Sequence, residues 1–203
     1  MDAKFKQELL THFNASDAME IGVVQELWSG YGKIFRVQLV DGDVEAIIVK
    51  QVIPPDEADH PKGWNSETSH ERKIKSYQVE MAWYKKYSQL STEACRIPRY
   101  YMSSNEAGVT IAMEDLDAAS YSVRKTRVNL KEIKQCLSWL AHFHATFMHA
   151  EPNDLWEVGT YWHLDTRRDE FEVMAEGVLK AHAMAIDSKL NYCMHQTFVH
   201  GDA

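Results

Sequence analysis

The sequence predicts an α+β fold in which a small antiparallel sheet with one helix is followed by a mainly helical region. Two observations predict this order. Segments rich in β-branched and aromatic residues dominate the first half of the chain, whereas apolar residues recur at helical spacing in the second half. With 203 residues, of which 45% are hydrophobic and 26% are charged, the chain can bury a substantial core. Length and composition fit one domain or two small lobes, and the change of pattern along the chain favours a sheet lobe followed by a helical lobe.

Five segments have the composition of strands. They lie at residues 23–28, 34–40, 44–53, 97–102 and 109–113. Asp41-Gly42-Asp43 predicts a hairpin between the second and the third segment. The turn-like residues 103–106 separate the last two segments. The sheet is therefore expected to be an antiparallel meander with a second pair of strands.

One helix is predicted within the sheet region. Residues 54–65 contain three prolines and a glycine, which indicates a surface loop. Thr68 and Glu71 then form a capping box, which predicts the start of a helix. Its buried stripe consists of Ile74, Tyr77, Met81 and Tyr84.

Two further helices are predicted in the second half. Asn129 can cap the first, which is expected to bury a stripe of Ile133, Leu137, Leu140, His144 and Phe147. Thr166 can cap the second, which is expected to bury Phe171, Met174 and Val178. A short apolar run at residues 197–199 then predicts a strand that leads into His200-Gly201-Asp202.

Composition excludes several classes of partner. The formal net charge of −8 argues against a broad surface for nucleic acid or for an acidic membrane. The three cysteines are widely spaced and lack a Cys-x-x-Cys pair, so they indicate neither a disulfide framework nor a zinc knuckle. No segment approaches the roughly 20 apolar residues of a membrane span, and no signal-peptide core follows the N-terminus. We expect a cytoplasmic protein that binds neither nucleic acid nor membrane.

The spacing of the histidines gives little support for a zinc site. His142, His144 and His149 lie close together in the sequence. Residues two apart on a helix point to different sides, and the His-Glu-x-x-His pattern is absent. Ordinary positions in the core or on the surface are therefore favoured for these histidines over a zinc site.

A glycine-containing loop is the first candidate for chemistry. Ser29-Gly30-Tyr31-Gly32-Lys33 lies between two predicted strands. Such a turn can bring backbone N–H groups close to nucleotide phosphates. Taken alone, the motif is more typical of a hairpin turn that needs positive φ.

A lysine and a glutamate form the second candidate. Lys50 ends an apolar run, where strand alternation places it among buried neighbours, and Glu80 lies beside the stripe of the predicted helix. A Lys–Glu ion pair that directs the ammonium toward the α- and β-phosphates is the arrangement used by kinases. The alternative is a solvated lysine at the strand end and a surface glutamate.

The third candidate is Asp202, which follows His200 by two residues. Phosphoryl transfer needs one carboxylate that orients the attacking hydroxyl and accepts its proton. The alternative is an ordinary glycine-centred turn with a solvated aspartate.

Taken together and in this order, these features resemble the kinase-like phosphotransferases, which include aminoglycoside phosphotransferases, choline kinases and the ecdysteroid kinase-like group. The resemblance spans nearly the whole chain. The Met-Glu-Asp-Leu segment, residues 113–116, is similar to the hinge between kinase lobes. The residues from Tyr161 to Glu170 resemble the ecdysteroid kinase-like branch in particular.

The resemblance implies a protein-kinase-like fold and an ATP-dependent phosphotransferase that acts on the hydroxyl of a small organic acceptor. Residues 1–115 would form the nucleotide-binding lobe, and residues 116–203 part of a helical substrate lobe. Asp202 would be the catalytic base, His200 would support its loop, and His144 would be structural. The implied nucleotide-binding residues are Ser29, Gly30, Tyr31, Gly32, Lys33, Lys50, Glu80, Met113, Glu114 and Leu116.

The chain departs from the family pattern at its end. It stops at Ala203, before the asparagine and the later aspartate that hold Mg²⁺ in the family. We therefore assign no metal ligand, and we expect a truncated form with impaired activity. The alternative is a nucleotide-binding or interaction module without catalysis. The shortened helical lobe also predicts an exposed apolar face on which copies could self-associate.

Overall fold

A computed structural model describes residues 1–54, 67–106, 108–159 and 164–201. Within these ranges the chain forms two contact units. The first consists of Met1–Ser91 and Arg96–Asn129, and the second of Thr92–Cys95 and Leu130–Ala203. Contacts therefore divide the chain after Asn129, whereas the predicted functional boundary at residue 115 stays a prediction.

In the described part of the chain, the first unit contains five strands and two α-helices. In chain order they are α1 (Ala3–His12), β1 (Asp17–Glu26), β2 (Gly32–Val40), β3 (Ala46–Val52), α2 (Glu67–Lys86), β4 (Tyr100–Ser104) and β5 (Val109–Glu114). All neighbouring strands are antiparallel, and their order is β1-β2-β3-β5-β4. The predicted α+β class is confirmed. The predicted hairpin is also found, with Asp41 at a φ of 55° between β2 and β3.

Helix α1 was not predicted from the sequence. Its cap is Asp2, whose carboxylate accepts hydrogen bonds from the backbone N–H groups of Lys4 and Phe5 at 3.0 and 3.1 Å. Phe5 and Leu9 are buried one turn apart. The prediction of a single helix in this region is therefore corrected to two.

The sheet buries a different cluster on each face, because side chains alternate along a strand. One face holds the aromatic and aliphatic cluster Phe5, Leu9, Phe13, Phe35, Val37, Leu39, Ile47, Val49 and Ala112. The other face packs Tyr31, Val52, Val109 and Ile111 against the predicted α2 stripe of Ile74, Tyr77, Met81 and Tyr84. The stripe is therefore confirmed. The Thr68 side chain and residues 55–65 of the loop predicted at 54–65 lie outside the described part of the chain.

Strand β1 differs from its prediction. It begins at Asp17, six residues before the predicted start, and ends at Glu26, after which Trp28–Gly30 form a short 3-10 helix. Its pairing with β2 shifts register between Glu20 and Gly22. An irregular edge strand shows less of the alternating pattern by which strands are recognised in a sequence.

The second unit contains α3 (Leu130–Thr146), α4 (Arg168–Val173) and α5 (Val178–Asn191). Helix α3 is where the sequence predicted it, but Ile133 and Leu137 are 41% and 57% exposed, so only part of its stripe is buried. Phe143 and Phe147 at its C-terminal end are buried. Helical spacing shows which face of a helix is apolar, but not whether another element covers that face.

The helix predicted from Thr166 is divided into α4 and α5. Met174 and Val178 lie at the break and are 40% and 80% exposed, so the prediction that they are buried was wrong. Gly177 is the N-cap of α5, and glycine is a poor helix former. The Thr166 side chain is not among the described ones.

The run at residues 197–199 is not a strand in the structure, which corrects that prediction. Phe198 is nevertheless buried and stacks on Phe147 with ring centroids 5.2 Å apart. The Thr197 hydroxyl donates to the His144 carbonyl oxygen at 2.7 Å. This extended segment is therefore attached to α3 by packing and by one hydrogen bond. Among the described residues, no helix combines the length and the apolar character needed to cross a membrane.

Candidate functional site

The glycine loop, residues 29–33, connects β1 to β2. Gly30 and Gly32 have φ values of 71° and 132°, a region that L side chains rarely adopt. The Leu27 N–H donates to the Gly32 carbonyl oxygen at 2.8 Å and closes the turn. The requirement for positive φ that the sequence indicated is therefore present.

Tyr31 anchors this loop to helix α2. Its side chain is 1% exposed, and its hydroxyl lies 2.6 Å from Nδ1 of His70. The ammonium of Lys73 lies over the Tyr31 ring, 4.6 Å from its centroid. Burial raises the pKa of the Tyr31 hydroxyl. The side chain of Tyr31 is therefore used for packing, and its backbone is also engaged, since its N–H donates to the Trp28 carbonyl oxygen and its carbonyl oxygen accepts from the Ile53 N–H.

Lys33 lies apart from the other candidate cation. Its ammonium forms an ion pair with Glu20 on β1 and lies over the Phe35 ring, 4.8 Å from the centroid. Phe35 belongs to the cluster on the α1 face of the sheet. The structure therefore does not bring the Lys33 ammonium to the face that carries Lys50.

Lys50 and Glu80 form the ion pair that the sequence predicted. The Lys50 ammonium lies 2.8 and 2.6 Å from the two carboxylate oxygens of Glu80. The two side chains are 14% and 32% exposed, so the pair is largely shielded from solvent. Lys50 also lies over the Tyr77 ring, at 5.2 Å from the centroid.

Tyr77 links this ion pair to the glycine loop. The centroid of its ring lies 6.1 Å from that of the Tyr31 ring. The Lys50 ammonium forms a cation–π contact with the same Tyr77 ring. Gly32 pairs with Val52 on β3, two residues from Lys50. The loop and the ion pair therefore lie in one neighbourhood of the α2 face. Backbone N–H groups at a glycine turn and an oriented ammonium together can bind a polyanion.

The Met-Glu-Asp-Leu segment follows directly from β5. Glu114 is held by Arg96, whose guanidinium donates to both carboxylate oxygens at 2.7 and 2.9 Å. The Glu114 N–H donates to the Arg99 carbonyl oxygen, and the Leu116 carbonyl oxygen accepts from the Tyr121 N–H, both at 2.8 Å. Met113 pairs with Ile48 on β3. The backbone of this segment is therefore fixed from several directions.

Sequence reasoning missed Arg36 and its two carboxylate partners. Arg36 donates through Nε and Nη2 to the two oxygens of the buried Asp115, and through Nη2 to Asp117 at 2.6 Å. The pKa of Arg36 is raised by these hydrogen bonds, first by the bond to Asp115 and then by the bond to Asp117. The only signal in the sequence was an arginine in the middle of a strand.

The C-terminal candidates are described only in part. His200 is exposed, and its ring meets that of Trp139 edge-on at 6.5 Å. Gly201 has a φ of 83°, which fits a sharp turn. Asp202 lies outside the described residues, so its role as a base stays a prediction. Among the described residues, no group of three or more His, Cys, Asp or Glu side chains is arranged to hold a metal ion.

The model of the ecdysteroid kinase-like family matches residues 32–200, which is most of the chain. No curated protein matches the chain. The matched range includes Lys50, Glu80 and the Met-Glu-Asp-Leu segment, and it begins at Gly32 within the glycine loop.

Proposed function

This chain belongs to the ecdysteroid kinase-like family, and we propose that it is an ATP-dependent phosphotransferase that acts on a hydroxyl of a small organic molecule. The family suggests a small-molecule kinase-like phosphotransferase. The observation that carries the finer proposal is the shielded ion pair between Lys50 and Glu80. An ammonium held in this way points in a fixed direction, in which it can donate a hydrogen bond to a phosphate.

The proposal divides ATP between two parts of the first unit. Lys50 and the backbone of the glycine loop would hold the phosphates, because they share the Tyr77 neighbourhood. Backbone groups of the Met-Glu-Asp-Leu segment at Glu114 and Leu116 would receive the adenine. A cation and a glycine turn that both lie near Tyr77 suit the negative charge of a triphosphate, which supports the proposal.

The chemical step is assigned to the C-terminal residues. Asp202 would accept the proton of the acceptor hydroxyl, and His200 would support its loop. In phosphoryl transfer Mg²⁺ neutralises charge on the β- and γ-phosphates. We assign no Mg²⁺ ligand in this chain.

The proposed location of this activity is the cytoplasm. The cysteines Cys95, Cys136 and Cys193 are free, which suits a reducing compartment.

Single-turnover phosphoryl transfer tests the proposal. The protein in excess would be mixed with γ-labelled ATP and Mg²⁺, together with an alcohol from a panel of amino alcohols, aminoglycosides, sugars and sterols. Transfer of label to one class of acceptor supports the proposal. ATP binding that ignores Mg²⁺ and gives no transfer to any acceptor would instead support a non-catalytic nucleotide-binding module. The absence of ATP binding would reject both readings.

A further inference from the structure

We propose that Arg36 positions the Met-Glu-Asp-Leu segment for recognition of the nucleotide base, so that Arg36 controls base affinity and selectivity without contacting the phosphates. The inference rests on the proposed function, since it concerns how the same site would hold ATP. It assigns a role to an arginine that the sequence motifs did not indicate.

Arg36 is fixed by three side-chain hydrogen bonds. Its Nε and Nη2 atoms lie 2.5 and 3.1 Å from the two carboxylate oxygens of Asp115, and Nη2 also lies 2.6 Å from Asp117. The Asp115 side chain is 4% exposed. A buried carboxylate that loses its cation is costly, so this bidentate pair fastens residue 115 to β2.

The pair also organises the backbone. The Asp117 N–H donates to the Asp115 carboxylate at 3.0 Å, on the oxygen that Arg36 also binds. Arg124 donates to the second oxygen of Asp117 at 2.6 Å. The Arg36 guanidinium on β2 therefore binds the side chains of Asp115 and Asp117 in the turn that follows β5. Through the Asp115 carboxylate it also helps to fix the Asp117 N–H group.

Arg36 lies on the sheet face that carries Lys50. Along β2, Arg36 is two residues from Ile34, which pairs with Lys50, and side chains two residues apart share a face. Arg36 itself pairs with Ile48, and Ile48 pairs with Met113. The paired residues Arg36, Ile48 and Met113 therefore lie about 7 Å along the strands from the paired residues Ile34 and Lys50. This displacement separates the part of the site that would bind the base from the part that would bind phosphate.

A second arginine, Arg96, also contacts the Met-Glu-Asp-Leu segment. Arg96 binds Glu114 and stacks on the Tyr121 ring at 4.7 Å, and the Tyr121 N–H donates to the Leu116 carbonyl oxygen. Glu114 pairs with Ile47, which belongs to the α1 face. Of the two arginines, Arg36 is therefore the one on the face of Lys50. Its removal should loosen the base-binding backbone and raise the entropic cost of ordering it around a purine.

The experiment compares three ligands by titration calorimetry in the presence of Mg²⁺: ATP, GTP and inorganic tripolyphosphate. Arg36→Met should weaken ATP binding by roughly tenfold and shrink the difference between ATP and GTP. Tripolyphosphate, which lacks a base, should bind within about twofold of its wild-type affinity. Arg36→Lys should restore part of the loss, because it keeps the charge but not the planar fork.

Two further variants show whether an effect of Arg36→Met on ATP binding is specific to this hydrogen-bond network. Asp117→Asn should weaken ATP binding in the same base-dependent way, since it removes one arm of the network and keeps the buried Asp115 pair. Lys6→Met is the matched control, because it removes one cation and one ion pair, with Asp17, from the same unit. Far-ultraviolet circular dichroism of each variant shows whether it is folded.

The outcomes separate this inference from the proposed function. If the wild type binds ATP and folded Arg36→Met and Asp117→Asn bind it equally well, the role of Arg36 is wrong and the proposed function stands. Parallel loss of ATP and tripolyphosphate binding would also overturn this role, since it would place the effect on the phosphates or on the fold. If the wild type binds neither ATP nor tripolyphosphate, the proposed function fails and the inference fails with it.

Discussion

The ammonium of Lys50 lies 2.6 and 2.8 Å from the two carboxylate oxygens of Glu80, so the central strand β3 and helix α2 are joined by one shielded ion pair. The carboxylate fixes where the ammonium points, and the ammonium has further capacity to donate a hydrogen bond. In the proposed site this unused capacity is directed at phosphate.

The two members of the pair should not contribute equally to ATP binding. Glu80→Gln leaves the ammonium in place but weakens its orientation, so we expect ATP affinity to fall by about threefold. Lys50→Ala removes the ammonium that would contact phosphate and should cause a larger loss. Titration calorimetry of both variants with ATP measures this order. A larger loss in Glu80→Gln than in Lys50→Ala would contradict the assigned roles.

The two loop glycines should respond differently to alanine. A Cβ on Gly32 would overlap the Gln51 carbonyl oxygen and lie 3.1 Å from the Val52 Cα, whereas a Cβ on Gly30 would have no heavy atom within 4 Å. Gly30→Ala should therefore lower the free energy of unfolding by roughly 1–2 kcal/mol through its positive φ alone. Gly32→Ala should lower it by about 3 kcal/mol or more. Urea unfolding monitored by tryptophan fluorescence compares the two, and equal losses would show that the close approach of β3 is not present.

Tyr84 should contribute to alkaline denaturation. Burial, together with the charge of Glu80, raises its pKa to about 12 in the folded protein, against about 10 when unfolded. The folded state therefore gains from the protonated hydroxyl below pH 10, and this advantage is lost as the pH rises from about 10 to 12. Tyr84→Phe should reduce the loss of stability in that window. Unfolding free energies measured between pH 9 and pH 12 test this, with the exposed Tyr192→Phe as the control.

Asp202→Asn should separate catalysis from nucleotide binding. The carboxylate is expected to contact the acceptor hydroxyl and not ATP, so turnover should fall by about a hundredfold or more while ATP affinity stays nearly unchanged. The measurement is single-turnover transfer to the acceptor, made beside an ATP titration of the same variant and of the wild type. Near-normal turnover, or an ATP affinity reduced as strongly as in Lys50→Ala, would exclude Asp202 as the base.

Features set by short-range pattern could be predicted from the sequence. Strand alternation at residues 46–50 was sufficient to predict a shielded Lys50, and helical spacing predicted the α2 stripe that packs on the sheet. The hairpin at Asp41 followed from its turn residues. Each of these depends on neighbours a few positions away, which the sequence displays directly.

Features set by long-range pairing could not be predicted. Arg36 meets Asp115 only because β2, β3 and β5 are adjacent in a particular register, and the two residues are 79 positions apart. The exposure of Ile133 and Leu137 likewise depends on which elements cover α3.

The most direct test of the account is an ATP titration of the wild type, Lys50→Ala and the matched control Lys6→Met, each with Mg²⁺. The account predicts that the wild type and Lys6→Met bind ATP equally and that folded Lys50→Ala binds it at least tenfold more weakly. Equal binding by the wild type and Lys50→Ala, or no binding by the wild type, would contradict it.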